Sequence, residues 1–116
     1  MNVASDCGRT KENYEQLSEL VHSMGSRGLK VLVFPCNQFG EQEPGTNEEI
    51  QQFLKETYPK SLEQLIFFTK GDVNGDETRP IYQYLKPIVA NSDGTTDIQW
   101  NFGKSFLCFL VEVRYK

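Results

Sequence analysis

Apolar residues along the chain recur with two periods, and these divide it into alternating elements. Asn2-Val3-Ala4-Ser5 reads as the tail of a strand that stops at Asp6-Cys7-Gly8. Tyr14, Leu17, Leu20, Val21 and Met24 then follow at steps of three, three, one and three. That spacing is one face of a helix, closed by Gly25 and Gly28. Lys30-Val31-Leu32-Val33-Phe34 is a short β-branched run, as in a strand buried on both faces, and Pro35 ends it. A polar loop from Asn37 to Gly45 leads to Thr46 and, three residues on, Glu49. This pair predicts a capping box, with Ile50, Phe53 and Leu54 as the stripe of the helix it starts. Leu65-Ile66-Phe67-Phe68 reads as another strand, and Asp72 to Asp76 as a turn. Pro80 suits the first turn of a helix carrying Ile81, Tyr84 and Leu85. Asn91-Ser92-Asp93-Gly94 is a second turn, before an apolar, extended segment from Phe106 to Tyr115. The alternation of strand and helix predicts an α/β sheet with covering helices.

Composition narrows the function. One domain over residues 1–116 is expected from length, with no repeat or linker inside it. Sixteen acidic against twelve basic residues give net −4 without a Lys/Arg cluster. Nucleic acid and anionic membranes are therefore poor partners. The longest uncharged apolar run, Ser105 to Val111, is far short of the roughly 20 residues that span a bilayer, so integral membrane association is not expected. No basic segment precedes an apolar stretch at the amino end, so no signal peptide is expected. The three cysteines, Cys7, Cys36 and Cys108, are odd in number and widely spaced, and His22 is the one histidine. A disulfide scaffold and a zinc site both lack ligands at the usual spacings. A reducing, cytoplasmic compartment follows, with any special cysteine a reactive thiol rather than a staple.

Cys7 is the position at which chemistry is expected. It lies between a strand and an amphipathic helix, where unpaired N–H groups and the helix dipole favour the thiolate, the reactive form. Position alone fits a buried small hydrophobe equally well. Thr10 stands where a dithiol motif would have its second Cys, which excludes a local disulfide cycle. Single-thiol chemistry points instead to attack on a substrate such as a peroxide.

Four stretches carry a resemblance. Residues Asn2 to Thr10 with Asn13-Tyr14, the run Phe34 to Ile50, Asp72-Val73-Asn74-Gly75 with Pro80-Ile81-Tyr82, and Trp100-Asn101-Phe102 resemble, in order, the motifs of the glutathione peroxidase family. The resemblance implies a thioredoxin-like fold, with a central mixed β-sheet flanked by helices, and reduction of hydrogen peroxide and organic or lipid hydroperoxides in defence against oxidative stress. It places the redox residue at Cys7 and the other catalytic residues at Gln42, Trp100 and Asn101. Taken singly, Gln42 reads as a solvated loop residue, Trp100 as a core or rim aromatic and Asn101 as a turn residue. Their chemistry agrees with the joint assignment, because two amides and an indole N–H are donors for a thiolate and a departing oxyanion. The implied intermediate is a Cys7 sulfenic acid, reduced by thiols with no metal or organic cofactor.

The resemblance also sorts the remaining residues. Cys36 matches a family cysteine that is not the resolving thiol and is read as packed, as is Cys108. Asn37 and Gln38 are read as loop organisers, Asp72, Asn74 and Gly75 as turn builders, and His22 is given no role. Thioredoxin-dependent members carry a resolving Cys in the helix around Gln51 to Glu56, which has none here. Glutathione or another small thiol is therefore the expected co-substrate. The short stretch from Lys86 to Trp100 resembles the monomeric, phospholipid-hydroperoxide branch, so a monomer is expected. Relative to the family the chain reads as truncated at both ends, lacking the usual N-terminal hairpin and C-terminal helix. The alternative reading is a weakly active paralogue or isoform that serves as a redox sensor or thioredoxin-like binding module.

Overall fold

A computed structural model describes residues 1–107 of the chain. Three short strands, β1 (Asn2–Val3), β2 (Leu32–Pro35) and β3 (Ile66–Phe67), form a parallel sheet in the order β1-β2-β3. Asn2 lies opposite Phe34, and Leu32 opposite Ile66. The strands are shorter than the apolar runs suggest, and Pro35 closes β2 from inside it. Every pairing among the described residues is parallel, where the resemblance implies a mixed sheet; the apolar segment from Phe106 to Tyr115, expected to be extended, lies outside the described residues from 108 onward, as does Cys108.

Helix α1 (Thr10–Met24) crosses from β1 to β2, and α2 (Asn47–Thr57) with α3 (Pro59–Gln64) cross from β2 to β3. Alternate strand residues face opposite sides of a sheet, so two cores form. Val3, Val33 and Phe67 point to a cluster with Tyr14, Leu17, Ile50, Leu54, Leu65 and Phe102. On the other side Phe34 packs with Cys36, Phe39, Val73 and Tyr82, the last from α4 (Pro80–Leu85).

The helices keep the expected ends but rotate their faces. At α2 the capping box is complete: Glu49 N donates to Thr46 Oγ1 at 3.2 Å, and Thr46 N to Glu49 Oε2 at 2.7 Å. Along α1 the buried set is Thr10, Tyr14, Leu17 and Ser18, while Leu20 is exposed. The reason is α3, an element the apolar pattern does not announce. Ser61 of α3 meets Ser18 Oγ to Oγ at 2.7 Å, and both oxygens lie near Tyr14 O, at 3.2 and 2.8 Å, so that one hydroxyl donates to the carbonyl and the other to its partner serine. Small side chains let the two helices approach closely there. In α4 the inward residues are Tyr82 and Leu85, not Tyr84, because Phe34 offers Tyr82 an edge-on ring contact at 5.5 Å.

Candidate active site

Cys7 sits in a turn ahead of α1 rather than on its first residue. Its carbonyl accepts from Thr10 N at 3.0 Å, and the Thr10 hydroxyl reaches back to Ala4 O at 2.7 Å. Thr10 thus closes the turn that presents the thiol, which is the structural use of the position a dithiol motif would give to sulfur. Cys7 is half-buried and unpaired.

Gln42 arrives on the loop after β2. Gly40 and Glu41 both take left-handed backbone there, at φ 65° and 51°, which turns the chain sharply enough to bring Gln42 back over the sheet end. At Gly40 the close approach is also steric: a Cβ would stand 3.3 Å from the Trp100 ring. The Gln42 carbonyl accepts from Asp6 N at 2.9 Å, tying this loop to the residue before Cys7.

Trp100 and Asn101 are delivered by a loop that Asn2 holds. Asn2 is fully buried; its Nδ2 donates to Trp100 O, its Oδ1 accepts from Gly103 N, and its carbonyl accepts from Phe102 N. Phe102 follows in left-handed backbone, φ 62°. Trp100 packs edge-on against Phe39 at 6.0 Å and stays 45% exposed. Asn101 is buried, and its Nδ2 donates to Gln42 Oε1 at 2.9 Å and to Phe39 O at 3.4 Å. Gln42, Trp100 and Asn101 therefore meet, and a backbone bond fastens them to the Cys7 turn.

The loop organisers are equally concrete. Gln38 Oε1 accepts from Val73 N and Asn74 N, and its Nε2 donates to Asn74 O. Asn74 in turn holds both polar atoms of the Ile98 backbone. Asn37 Oδ1 accepts from Glu43 N. Cys36 is fully buried, donates to Gln38 Oε1 at 3.4 Å, and has its thiol pKa pushed up by burial, as befits a packed thiol.

Two neighbours of the site are not singled out by sequence. Glu43, next to Gln42, is 1% exposed; burial raises its pKa, the Ser5 hydroxyl and amide and Lys70 oppose the rise, and Asp6 adds to it. Lys70 Nζ is held by the carbonyls of Glu43, Pro44 and Gly45 at 3.0, 3.3 and 2.8 Å. A glutamate in a polar loop carries no pattern that foretells burial, and a lysine after a strand none that foretells capture by three carbonyls. Among the described residues no group of three or more His, Cys, Asp or Glu could hold a metal ion, and no helix is long and apolar enough to cross a membrane.

Comparison with known proteins agrees with the family resemblance. A family model described as Glutathione peroxidase matches residues 1–86. The chain is 47% identical to an Arabidopsis thaliana protein named probable phospholipid hydroperoxide glutathione peroxidase 6, mitochondrial; the match covers 97% of this chain and 45% of that protein. It is 48% identical to a Pisum sativum protein named phospholipid hydroperoxide glutathione peroxidase, chloroplastic, over 97% of this chain and 44% of the relative. A probable phospholipid hydroperoxide glutathione peroxidase of Citrus sinensis is 46% identical, over 97% and 62%. The chain thus spans between 44% and 62% of the length of these relatives. A crystal structure described as Trgpx in apo form superposes with a TM-score of 0.59 at 30% identity, covering 86% of this chain and 55% of that one. With its thioredoxin-like α/β fold, the chain belongs to the glutathione peroxidase family.

Proposed function

We propose that this chain carries the active site of a thiol-dependent peroxidase, with Cys7 as the attacking thiol. The observation that carries the reading is the convergence of Gln42, Trp100 and Asn101 on a loop bonded to the Cys7 turn through Asp6 N and Gln42 O. The Cys7 thiolate attacks one oxygen of a hydroperoxide. The O–O bond breaks, the other oxygen leaves as alkoxide or hydroxide and takes a proton, and Cys7 becomes a sulfenic acid. One small thiol then displaces water to give a mixed disulfide. A second releases Cys7 and leaves as the disulfide of the two thiols.

The donors divide by geometry. Both amide hydrogens of Asn101 point at acceptors, Gln42 Oε1 and Phe39 O. Asn101 therefore orients Gln42, whose Nε2 and the Trp100 indole N–H remain as donors to sulfur and the leaving oxygen. Glutathione or a similar thiol is the proposed reductant, since α2 carries no cysteine between Gln51 and Glu56. Lipid hydroperoxides join hydrogen peroxide as substrates, on the printed names of the relatives and the exposure of Trp100 at the site. A monomer in a thiol-rich compartment is proposed: the cytoplasm, or the mitochondrial and chloroplast compartments that relatives' names carry.

Thiol-dependent peroxide consumption by the purified chain, with Cys7→Ser as control, tests the reading. The wild type is expected to exceed the variant clearly. Equal rates would leave the redox-sensor or binding-module reading in its place.

A further inference from the structure

The loop that carries Trp100 and Asn101 is tied to both elements that flank the Cys7 turn. Asn2 of β1 holds it from before the turn, through bonds to Trp100 O, Phe102 N and Gly103 N. Helix α1 holds it from behind. Lys104 Nζ donates to Asn13 Oδ1 at 2.7 Å and to Phe102 O at 3.1 Å. Asn13 is itself fixed, since its Nδ2 donates at 2.9 Å to the carbonyl of Arg9, the residue just ahead of α1. The next residue of α1, Tyr14, receives the Phe102 ring edge-on at 6.0 Å. Between these contacts Phe102 keeps left-handed backbone, φ 62°, an outlier for a bulky side chain. Such a conformation persists where its surroundings over-determine it, and it gathers at functional sites.

We propose that Lys104 is a positioning residue: its ammonium bridges Phe102 O to Asn13 and so sets the Trp100–Asn101 loop against the helix that follows Cys7. The role rests on the peroxidase reading of those residues, while the bridge itself is a property of the fold. The bond to Phe102 O closes a ring through Gly103 onto the carbonyl of the strained residue, and the bond to Asn13 fastens that ring to α1. Without the ammonium the loop loses this hydrogen bond to α1 and keeps those to β1. Lys104 is exposed and Asn13 half-buried, so either can be replaced without opening the core. Lys104→Met removes every side-chain donor and keeps the apolar stem. Asn13→Leu leaves the ammonium in place and removes its acceptor, which separates the bridge from a plain effect of charge. Asn13→Asp keeps an oxygen for Lys104 and serves as the conservative control.

The test combines amide hydrogen exchange of the full chain, followed by NMR, with the rate at which hydrogen peroxide oxidises Cys7. The Gly103 amide, bonded to Asn2 Oδ1, reports on the loop, and the Cys36 amide, bonded to Val3 O, on general loosening. Gly103 is expected to exchange about fivefold faster in Lys104→Met and in Asn13→Leu, with Cys36 unchanged. Cys7 oxidation is expected to slow about tenfold in both. The double variant should be no slower than the worse single one, and Asn13→Asp should stay close to wild type. Wild-type exchange at Gly103 in Lys104→Met would overturn the proposal. So would slowing in Lys104→Met with Asn13→Leu unaffected, which would assign the effect to charge rather than to the bridge. A wild type that consumes peroxide no faster than Cys7→Ser would sink the peroxidase reading, and Gly103 exchange would still decide whether the bridge holds the loop.

Discussion

The Asn101 side-chain amide donates to Gln42 Oε1 at 2.9 Å, joining residues 59 apart in sequence at a half-buried point. The bond decides which way the Gln42 amide faces, since an acceptor oxygen held by Asn101 leaves the Gln42 NH2 as the outward group. It couples the two residues, and residues that share a hydrogen bond respond to mutation non-additively.

Asn101→Ala is therefore expected to lower peroxide consumption on the order of 10- to 100-fold, the loss typical of a misplaced catalytic group. Gln42→Ala should cost a similar amount, and the double variant little more than the worse single one. Full additivity in the double-mutant cycle would show that Asn101 acts independently of Gln42.

Gly40→Ala tests the loop that delivers Gln42. The new methyl would sit 3.3 Å from the Trp100 ring, on a residue with φ 65°. Left-handed backbone costs a non-glycine residue about 1–2 kcal/mol, and the ring must also shift. Because Trp100 is the one tryptophan, its fluorescence reports both effects. A lowered urea midpoint with altered native-state emission is expected; an unchanged spectrum would mean that the ring and the loop are not in contact in solution.

How much of this was legible in the sequence depends on whether a residue's fate is set locally. The Thr46–Glu49 capping box is local, and it forms as read. The face of α1 is not, because Ser18 is buried against Ser61 of α3, and Pro59 to Gln64 carries Leu62 as its one leucine signal. Tyr82 and Tyr84 are indistinguishable by period alone; the Phe34 ring on β2 chooses between them. The site shows the same division. Cys7 stands out at a strand–helix junction, and Gln42, Trp100 and Asn101 stand out as a set of motifs. Asn2 reads as part of a strand and as the start of the first motif, with no role of its own, yet its buried side chain bonds the Trp100–Gly103 backbone. Its partners lie about a hundred residues away, where no window along the chain can see them.

Lys70 illustrates the same point and can be tested. Its ammonium is held by three carbonyls of residues 43 to 45, and its amide donates to Asn47 Oδ1 at 2.7 Å. Lys70→Met keeps the apolar stem but removes every donor on the side chain. Loss of charge-assisted bonds to partly buried acceptors should cost about 1.5–3 kcal/mol, read as a lower urea midpoint. A midpoint equal to wild type would show that water replaces the ammonium at no cost.

Glu43 gives the chain a definite pH signature. Burial is the largest influence on its carboxyl and raises its pKa above the ordinary 4.5; Ser5 and Lys70 oppose the rise and Asp6 adds to it. A raised folded-state pKa means that the fold prefers the protonated acid. Its contribution to stability is fully present below the unfolded pKa and is lost as pH rises through the folded one. Gln imitates the protonated acid at every pH, so Glu43→Gln keeps that contribution where the wild type loses it. The variant is therefore expected to melt higher than wild type at neutral pH, with the gap shrinking on acidification and closing below about 4.5. Thermal melts of both proteins from pH 4 to 8 measure the difference directly and cancel the titration of every other carboxylate. A gap that instead opens toward acid would mean that the Ser5 and Lys70 contacts outweigh burial and that the fold holds Glu43 as the carboxylate.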